Sequence, residues 1–400
     1  MKITDSKSFH LEIGEPVIVA QKATDAWGHY QFPLLSHTAG GNILYTWSKH
    51  DDSIEYEQVF GYAVSEDGGA TWRERTEKDV RAYPHPLGNG KRFAGFHPQG
   101  GYKAEYISKY TPAFVLQTVS GDGGSAVKMY RADDVPEFDR TVDADEWDPV
   151  TGEISSFDVT VNWPHMAIAE YPGNILYPAR MQMAITNDTG MLPLDDGLYY
   201  CTYGNSFDQE TGEQHAYPAK SGIYVFRSTD CGRTWDYVSQ LRVTEDIWED
   251  HPWFEGLDEP MMTRTPDGTV VMLIRSGSHR PSYISYSTDN CRTWEHPVRF
   301  DECGVLPQLL SLDCGVTLAS YGRNPIYVRA AGDASARDWQ EHIHIPVTKE
   351  IRSGSCGYTS LLALDDHTAL LAYSDFHCPG PDGAPMKTLV ARRITVVENG

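Results

Sequence analysis

The pattern Ser-x-Asp-x-x-x-Thr-Trp occurs three times in this chain. The copies are Ser65-Glu66-Asp67-Gly68-Gly69-Ala70-Thr71-Trp72, Ser228-Thr229-Asp230-Cys231-Gly232-Arg233-Thr234-Trp235 and Ser287-Thr288-Asp289-Asn290-Cys291-Arg292-Thr293-Trp294. With each residue type at a few per cent, one match needs on the order of several hundred thousand starting positions, so the repetition is not chance. Each copy is flanked by extended, β-prone runs such as Ile223-Tyr224-Val225-Phe226-Arg227 and Tyr283-Ile284-Ser285-Tyr286. The chemistry reads as a hairpin turn. Asp and Ser side chains bond nearby amides, glycine supplies positive φ, and the Trp packs beneath.

A second repeat falls between these turns. Gly41-Asn42-Ile43-Leu44-Tyr45 recurs intact as Gly173-Asn174-Ile175-Leu176-Tyr177. Looser turn-then-strand versions follow at 266–271, 314–318 and 365–370, and a strand-like run without the glycine turn lies at 112–116. Six such units imply six repeats of one supersecondary element.

Composition agrees. The chain has 35 Gly, 24 Pro, 23 Tyr and 10 Trp, which favours short strands and tight turns over long helices. Hydrophobic residues are 40% and charged ones 22%, enough for a large core and too little charge for disorder. The net charge of −23 argues against a nucleic-acid partner, so an anionic ligand must be small and held in a local cationic pocket. No stretch of 18 apolar residues suggests a membrane span, and the N-terminal sequence lacks a signal-peptide pattern, which makes the expected location cytoplasmic. Seven scattered cysteines without a CxxC pair, and no Cys/His cluster with zinc spacing, read as structural thiols with no metal or other cofactor.

The three turns are the Asp-box, or BNR, pattern, and the chain resembles the sialidase superfamily from about residue 12 to 395. The resemblance implies an all-β fold, a six-bladed β-propeller forming a single domain over 1–400. Four-stranded blades would close into a ring that protects their edges, with Lys387-Thr388-Leu389-Val390-Ala391 sharing a blade with the N-terminal segment. Roughly 67 residues per blade leaves room for long loops, expected at about 132–165 and 183–220. The Asp boxes themselves would be structural, away from the central pocket.

The same resemblance suggests a site. Glu259, in Asp258-Glu259-Pro260, is followed 16 residues later by Arg275 on the next strand. By likeness, Glu259 polarises a tyrosine and Arg275 binds a substrate carboxylate. Arg323, in Ser320-Tyr321-Gly322-Arg323-Asn324-Pro325, is the expected second guanidinium, since two arginines give planar bidentate bonds that lysine cannot copy. Tyr358 stands where the family carries its tyrosine nucleophile. A neutral phenol suits an anionic sugar, which would repel a carboxylate, and such enzymes depart from the two-carboxylate scheme.

One position departs from the pattern. Where sialidases carry an aromatic-Arg-Ile-Pro motif, this chain has Tyr30-Gln31-Phe32-Pro33. Gln31 can bond a carboxylate or hydroxyl without charge, at a loss of roughly 1.5 to 3 kcal/mol relative to arginine. That puts sialic acid itself in doubt and admits another acidic sugar or a neutral one. In Ser48-Lys49-His50-Asp51-Asp52, Asp52 or Asp51 is the expected general acid, with His50 an outside candidate. His165 and Arg180 are further pocket candidates, and Trp253 or Trp248 is a candidate for stacking on a sugar ring.

The leading expectation is therefore an exo-acting, retaining glycoside hydrolase on a small carbohydrate or glycan. Two alternatives remain open at this level: a polysaccharide lyase using a His165/Tyr358 pair on uronates, and a non-catalytic carbohydrate-binding propeller. The sequence carries no information on oligomeric state.

Overall fold

The computed structural model describes residues 8–38, 40–51, 59–76, 85–96, 111, 114–117, 126–131, 142–162, 167–170, 176–178, 191–205, 221–250, 256–323 and 325–399. These residues form six β-sheets and one short helix, Glu245–Asp250. The architecture is a six-bladed β-propeller.

Blade 1 is a four-stranded meander of Gln31–His37, Ile43–Ser48, Phe60–Ser65 and Arg73–Arg75. Blade 4 repeats it with Asp258–Arg264, Val270–Arg275, Ser282–Ser287 and Val298–Asp301. Blade 5 follows with Val305–Ser311, Thr317–Gly322, Ile326–Ala331 and Ile343–Ile345. In blade 6 the strands Ser360–Ala363, Thr368–Pro379 and Pro385–Glu398 are completed from the other end of the chain. Val17–Lys22 pairs with the first half of Pro385–Glu398, Val17 opposite Ala391, and Phe9–Ile13 pairs with the second half, Phe9 opposite Glu398. This is the expected closure at Lys387–Ala391, and it ties the two termini together by backbone hydrogen bonds rather than by a linker.

The first strands of blades 1, 6, 5 and 4 neighbour one another around the axis. Because each blade packs face to face against the next, its middle strands are buried on both sides. Val270–Arg275, Ser282–Ser287 and Thr317–Gly322 are buried at every residue. They accordingly read as near-continuous apolar runs, without the alternation of a one-sided sheet. The core is a ring of wedges. Tyr45, Trp47, Leu362 and Leu389 fill the wedge between blades 1 and 6; Leu318, Val328, Leu371 and Ile394 that between 5 and 6; Met261, Leu273, Leu309 and Tyr321 that between 4 and 5. Each such side chain contributes about 1.5 to 3 kcal/mol by leaving water.

The three repeated turns share one hydrogen-bond scheme. In the third, Ser287 Oγ donates to Asp289 Oδ1 (2.8 Å) and accepts from Cys291 N (2.9 Å), while Thr293 N and Oγ1 donate to the two oxygens of Asp289 (2.9 and 2.6 Å). The first turn repeats this at Ser65, Asp67, Gly69 and Thr71; the second keeps the bonds of Ser228, Asp230, Gly232 and Thr234 N. The Thr71 hydroxyl and N–H, with Ser65, bring Asp67 down to about 2. Two consecutive residues of each turn take positive φ, including Cys231 (59°), Asn290 (56°) and Cys291 (61°) where glycine would be unstrained. Trp72 and Trp294 pack into wedges beside their own blades, and Trp235 is fully buried in the cluster of blade 3, built on Met191–Leu194, Gly197–Asn205, Ser221–Ser228 and Thr234–Leu241. A related turn at Asp333, whose carboxylate accepts from Ser335, Arg337 N and Asp338 N, precedes Trp339 by one extra residue, which hides it from a fixed-spacing search.

Three expectations need correction. The units at 112–116 and 173–177 do not mark two blades: their strands, Phe114–Gln117 and Leu176–Pro178, belong to one four-stranded sheet with Ala126–Arg131 and Ala167–Glu170. The missing unit is Asp195-Asp196-Gly197-Leu198-Tyr199-Tyr200, which opens Gly197–Asn205 in blade 3, so six blades stand with a different assignment. The expected loop at 132–165 contains a hairpin, Val142–Trp147 with Ile154–Asn162. Its second strand pairs in parallel with Thr234–Leu241 and, with Arg92–Phe96, extends blade 3 to seven strands. Likewise, 191–205 within the expected loop at 183–220 is two strands of that blade, Met191–Leu194 and Gly197–Asn205.

Candidate active site

In an antiparallel meander, first strands begin and second strands end at the same rim, while the turn between strands three and four lies at the opposite rim. Glu259, Gln31 and Tyr358 sit at or just before the start of first strands; Arg275 and Arg323 sit at or just after the end of second strands. All five therefore gather at one end of the axis, opposite the Asp-bearing turns.

The first strands share a device that aims their leading residues. In blades 1, 4 and 5 the register shifts between Gln31 and Leu34, Asp258 and Met261, and Val305 and Gln308. Each bulge holds a residue of positive φ followed by proline: Phe32 (53°), Glu259 (39°) and Leu306 (34°). Proline has no N–H to give to the ladder, so the bulge is where it fits, and the strained residue is turned out of the sheet. This repeated X-Pro at the head of a strand is a signal in the sequence that the turn search overlooked.

Two of these bulges serve one carboxylate. Glu259 Oε2 accepts Leu306 N at 2.7 Å, and Glu259 Oε1 accepts both Arg275 Nη1 at 2.6 Å and Tyr358 Oη at 2.5 Å. Arg275 Nη1 also lies 3.4 Å from the Tyr358 oxygen. Glu259 and Arg275 are both buried, at 7% and 8% exposure. Burial pushes the Glu259 carboxyl up, but the Arg275 charge and the bonds from Arg275, Tyr358 and Leu306 outweigh it and hold the group below its ordinary range. Burial and the adjacent Glu259 charge hold the Tyr358 phenol well above its ordinary value, with Arg275 opposing. The resting pair is thus a neutral phenol donating to a carboxylate.

Tyr358 is brought there by Gly357, whose φ of +82° favours glycine and whose Cβ would lie 2.3 Å from the Arg323 backbone. That close approach seats Arg323 beside the tyrosine: Arg323 Nε donates to Cys356 O (3.1 Å) and Nη1 to Ser278 Oγ (2.9 Å). Phe32 packs on Tyr358 with ring centroids 4.9 Å apart, and the Trp27 ring lies 5.9 Å from the Arg323 guanidinium. Trp27, 45% exposed, Phe32, Ser278 and His279 are residues of this rim that sequence reading missed.

The structure thus brings Tyr358, Glu259, Arg275 and Arg323 together. Two expected roles change. Arg275 is ion-paired to Glu259 and also reaches Ser278 (3.3 Å), so its charge is spent inside the protein. Arg323 meets only neutral groups and pairs with no carboxylate among the described residues. Gln31 is fully buried: with its amide oriented to satisfy both ends, Oε1 accepts from Lys387 Nζ (2.8 Å) and Gly28 N (3.2 Å). Lys387, itself 5% exposed, also donates to Ala26 O (2.6 Å) and lies 4.5 Å from the Phe376 ring. Gln31 is therefore a brace for the 26–31 loop rather than a substrate ligand. A guanidinium at this buried position would face the like charge of Lys387.

Asp51 is exposed and lies 3.2 Å from His29 Nε2, while the His50 ring, bonded to Asp51 O, packs edge-on against Phe60. No contact joins Asp51 to the Tyr358–Glu259 pair among the described residues. Asp52, His165, Arg180 and Trp253 lie outside the described residues, as does the side chain of Trp248. No group of three or more potential metal ligands occurs among the described residues. Among the described residues no helix is long and apolar enough to cross a membrane.

No protein-family model and no curated protein matches the sequence. Among solved structures, the chain is similar to a protein of unknown function from Dyadobacter fermentans, at 16% identity and a TM-score of 0.54, over 96% of this chain and 99% of that one. It is also similar to a Hadza microbial sialidase (14%, 0.47, 92% of this chain and 65% of that one). A third is the Penicillium chrysogenum α-L-arabinanase solved with arabinobiose (15%, 0.45, 97% and 98%). At these identities the likeness concerns the fold.

Proposed function

We propose that the protein is a sialidase-like, retaining glycoside hydrolase acting on a terminal acidic sugar, with Tyr358 as nucleophile. The observation that carries this reading is the Tyr358–Glu259 hydrogen bond at the head of the axis, with Arg275 on the same carboxylate oxygen. A phenol held neutral approaches an anionic sugar without the repulsion a carboxylate would meet. As Tyr358 Oη bonds to the anomeric carbon, its proton passes to Glu259 and the glycosidic C–O bond breaks. Water then displaces the tyrosyl oxygen, which recovers its proton from Glu259. Arg275 keeps Glu259 ionised between turnovers, and Arg323, the guanidinium without a carboxylate partner among the described residues, takes the substrate's anionic group. The leaving oxygen needs a proton donor. Asp52 is our candidate by its place in the sequence, because Asp51 is exposed and turned to His29.

The likeness of the fold to propellers that include a sialidase and an arabinanase is in keeping with a carbohydrate substrate. The direct test is turnover of α-linked acidic glycosides, N-acetylneuraminides and their deaminated analogues first, by the wild type and Tyr358→Phe. The reading expects the phenylalanine variant to lose activity by a factor of about a thousand or more. Full turnover in Tyr358→Phe would overturn it.

A further inference from the structure

Ser278 lies on the loop that joins the second and third strands of blade 4 (276–281), and two arginines donate to its hydroxyl oxygen. Arg323 Nη1 reaches Ser278 Oγ at 2.9 Å and Arg275 Nη2 reaches it at 3.3 Å. The loop is held in place, because Ser276 Oγ donates to Pro281 O at 2.6 Å and ties its ends together. A serine hydroxyl has two lone pairs and one proton. Here guanidinium hydrogens engage both lone pairs, so the proton must point away from two cations. Among the described residues Ser278 donates to no protein acceptor. Charged donors on the oxygen also polarise the O–H bond, which makes it a stronger donor than that of an ordinary serine.

That donor stands beside the tyrosine of the site. Arg275 lies 3.4 Å from Tyr358 Oη through Nη1 and bonds Ser278 Oγ through Nη2, so the two ends of one guanidinium set the phenol and the hydroxyl side by side. On its other side Ser278 adjoins Arg323, whose Nε is taken by Cys356 O and which pairs with no carboxylate among the described residues. Gln31, turned to Lys387, adds no donor to this group. Arg323 and the Ser278 hydroxyl therefore offer hydrogens and no acceptor, which suits an ionised carboxylate and leaves an ester or an alcohol poorly matched.

We propose that Ser278 is a specificity-determining residue of this site: its hydroxyl donates to one oxygen of the substrate carboxylate while Arg323 donates to the other. The inference rests on the hydrolase reading for the ligand being a terminal acidic sugar, and goes further in naming the group that tells an ionised carboxylate from a neutral one.

Binding is measured without turnover on thioglycosides that resist hydrolysis. These are the thioglycosides of N-acetylneuraminate, its deaminated analogue and glucuronate, each as the free acid and as its methyl ester. In the wild type at least one acid should bind more tightly than its ester by about a hundredfold. Ser278→Ala should reduce that ratio about tenfold by weakening the acid alone, and Ser278→Thr, which keeps the hydroxyl, should retain most of it. A serine that merely braced Arg323 would lose its effect once Arg323 is gone. The ratio is therefore measured again in Arg323→Gln, by ligand-observed NMR, where adding Ser278→Ala should cost a further several-fold. A ratio unchanged by Ser278→Ala, no further loss in the Arg323→Gln background, or no preference for any acid overturns the proposal. None of these ligands is cleaved, so the hydrolase reading is decided separately by the Tyr358→Phe assay.

Discussion

Glu259 Oε1 is shared: Tyr358 Oη donates to it at 2.5 Å and Arg275 Nη1 at 2.6 Å. The two donors come from different blades, and the acceptor sits on a backbone with φ of 39° that a regular strand would not adopt. The strain is tolerated because the bulge frees Glu259 from the ladder, and the next blade's bulge returns a backbone N–H to its other oxygen. An ionised carboxylate is thereby kept beside a neutral phenol in a buried place.

That arrangement makes Arg275 the support of the pair. Arg275→Met should destabilise the protein by about 3 to 5 kcal/mol, because it strands a buried carboxylate. Adding Glu259→Gln should recover much of the loss, as a double-mutant cycle in denaturant unfolding would measure. The sign with pH follows. Glu259 titrates below its ordinary range in the wild type, so its contribution is complete above about pH 4.3 and is lost as pH falls through the lowered value. Without Arg275, burial dominates and the deficit should shrink on acidification from pH 7 toward 4.

Restoring the family's arginine should fail. Gln31→Arg would place a guanidinium against Lys387 in a fully buried site, and the expected loss is about 2 kcal/mol or more with no gain in binding of acidic sugars. Pairing it with Lys387→Met should relieve most of the destabilisation. Thermal melts of the single and double variants check both statements.

The Asp-bearing turns lie at the far rim and should affect stability alone. Asp289 is pushed up by burial, but bonds from the Thr293 hydroxyl and N–H, Ser287 and Arg292 bring it below the ordinary range. Asp289→Asn should therefore cost about 1 kcal/mol at neutral pH. That contribution is present above about pH 3.9 and lost as pH falls through the folded value, so the two proteins should converge in acid. Their catalytic constants at pH 7 should coincide.

The fold was legible because its turns are chemical: an Asp that must bond specific amides and a Trp that must fill a wedge recur at fixed spacing. Where spacing slips, as at Asp333 and Trp339, the same structure escapes the pattern. The positions of Glu259 and Arg275 were legible through the likeness of Asp258-Glu259-Pro260 and its 16-residue spacing to the sialidase pattern, and the structure sets Asp258 opposite Arg275 across an antiparallel ladder. Gln31 was not, because its burial depends on Lys387 from the opposite end of the chain. The Arg275–Glu259 ion pair was hidden for a similar reason. Spacing places two side chains side by side, but the bulge decides that they face each other.

The shared Glu259 oxygen is most directly tested by trapping. Wild-type protein incubated with an activated, ring-fluorinated acidic glycoside, then denatured and digested, should show by mass spectrometry one glycosyl adduct on the peptide bearing Tyr358. It should be absent from Tyr358→Phe and formed more slowly in Glu259→Gln. A substrate that is turned over while the label appears on another residue, or on none, would contradict the account.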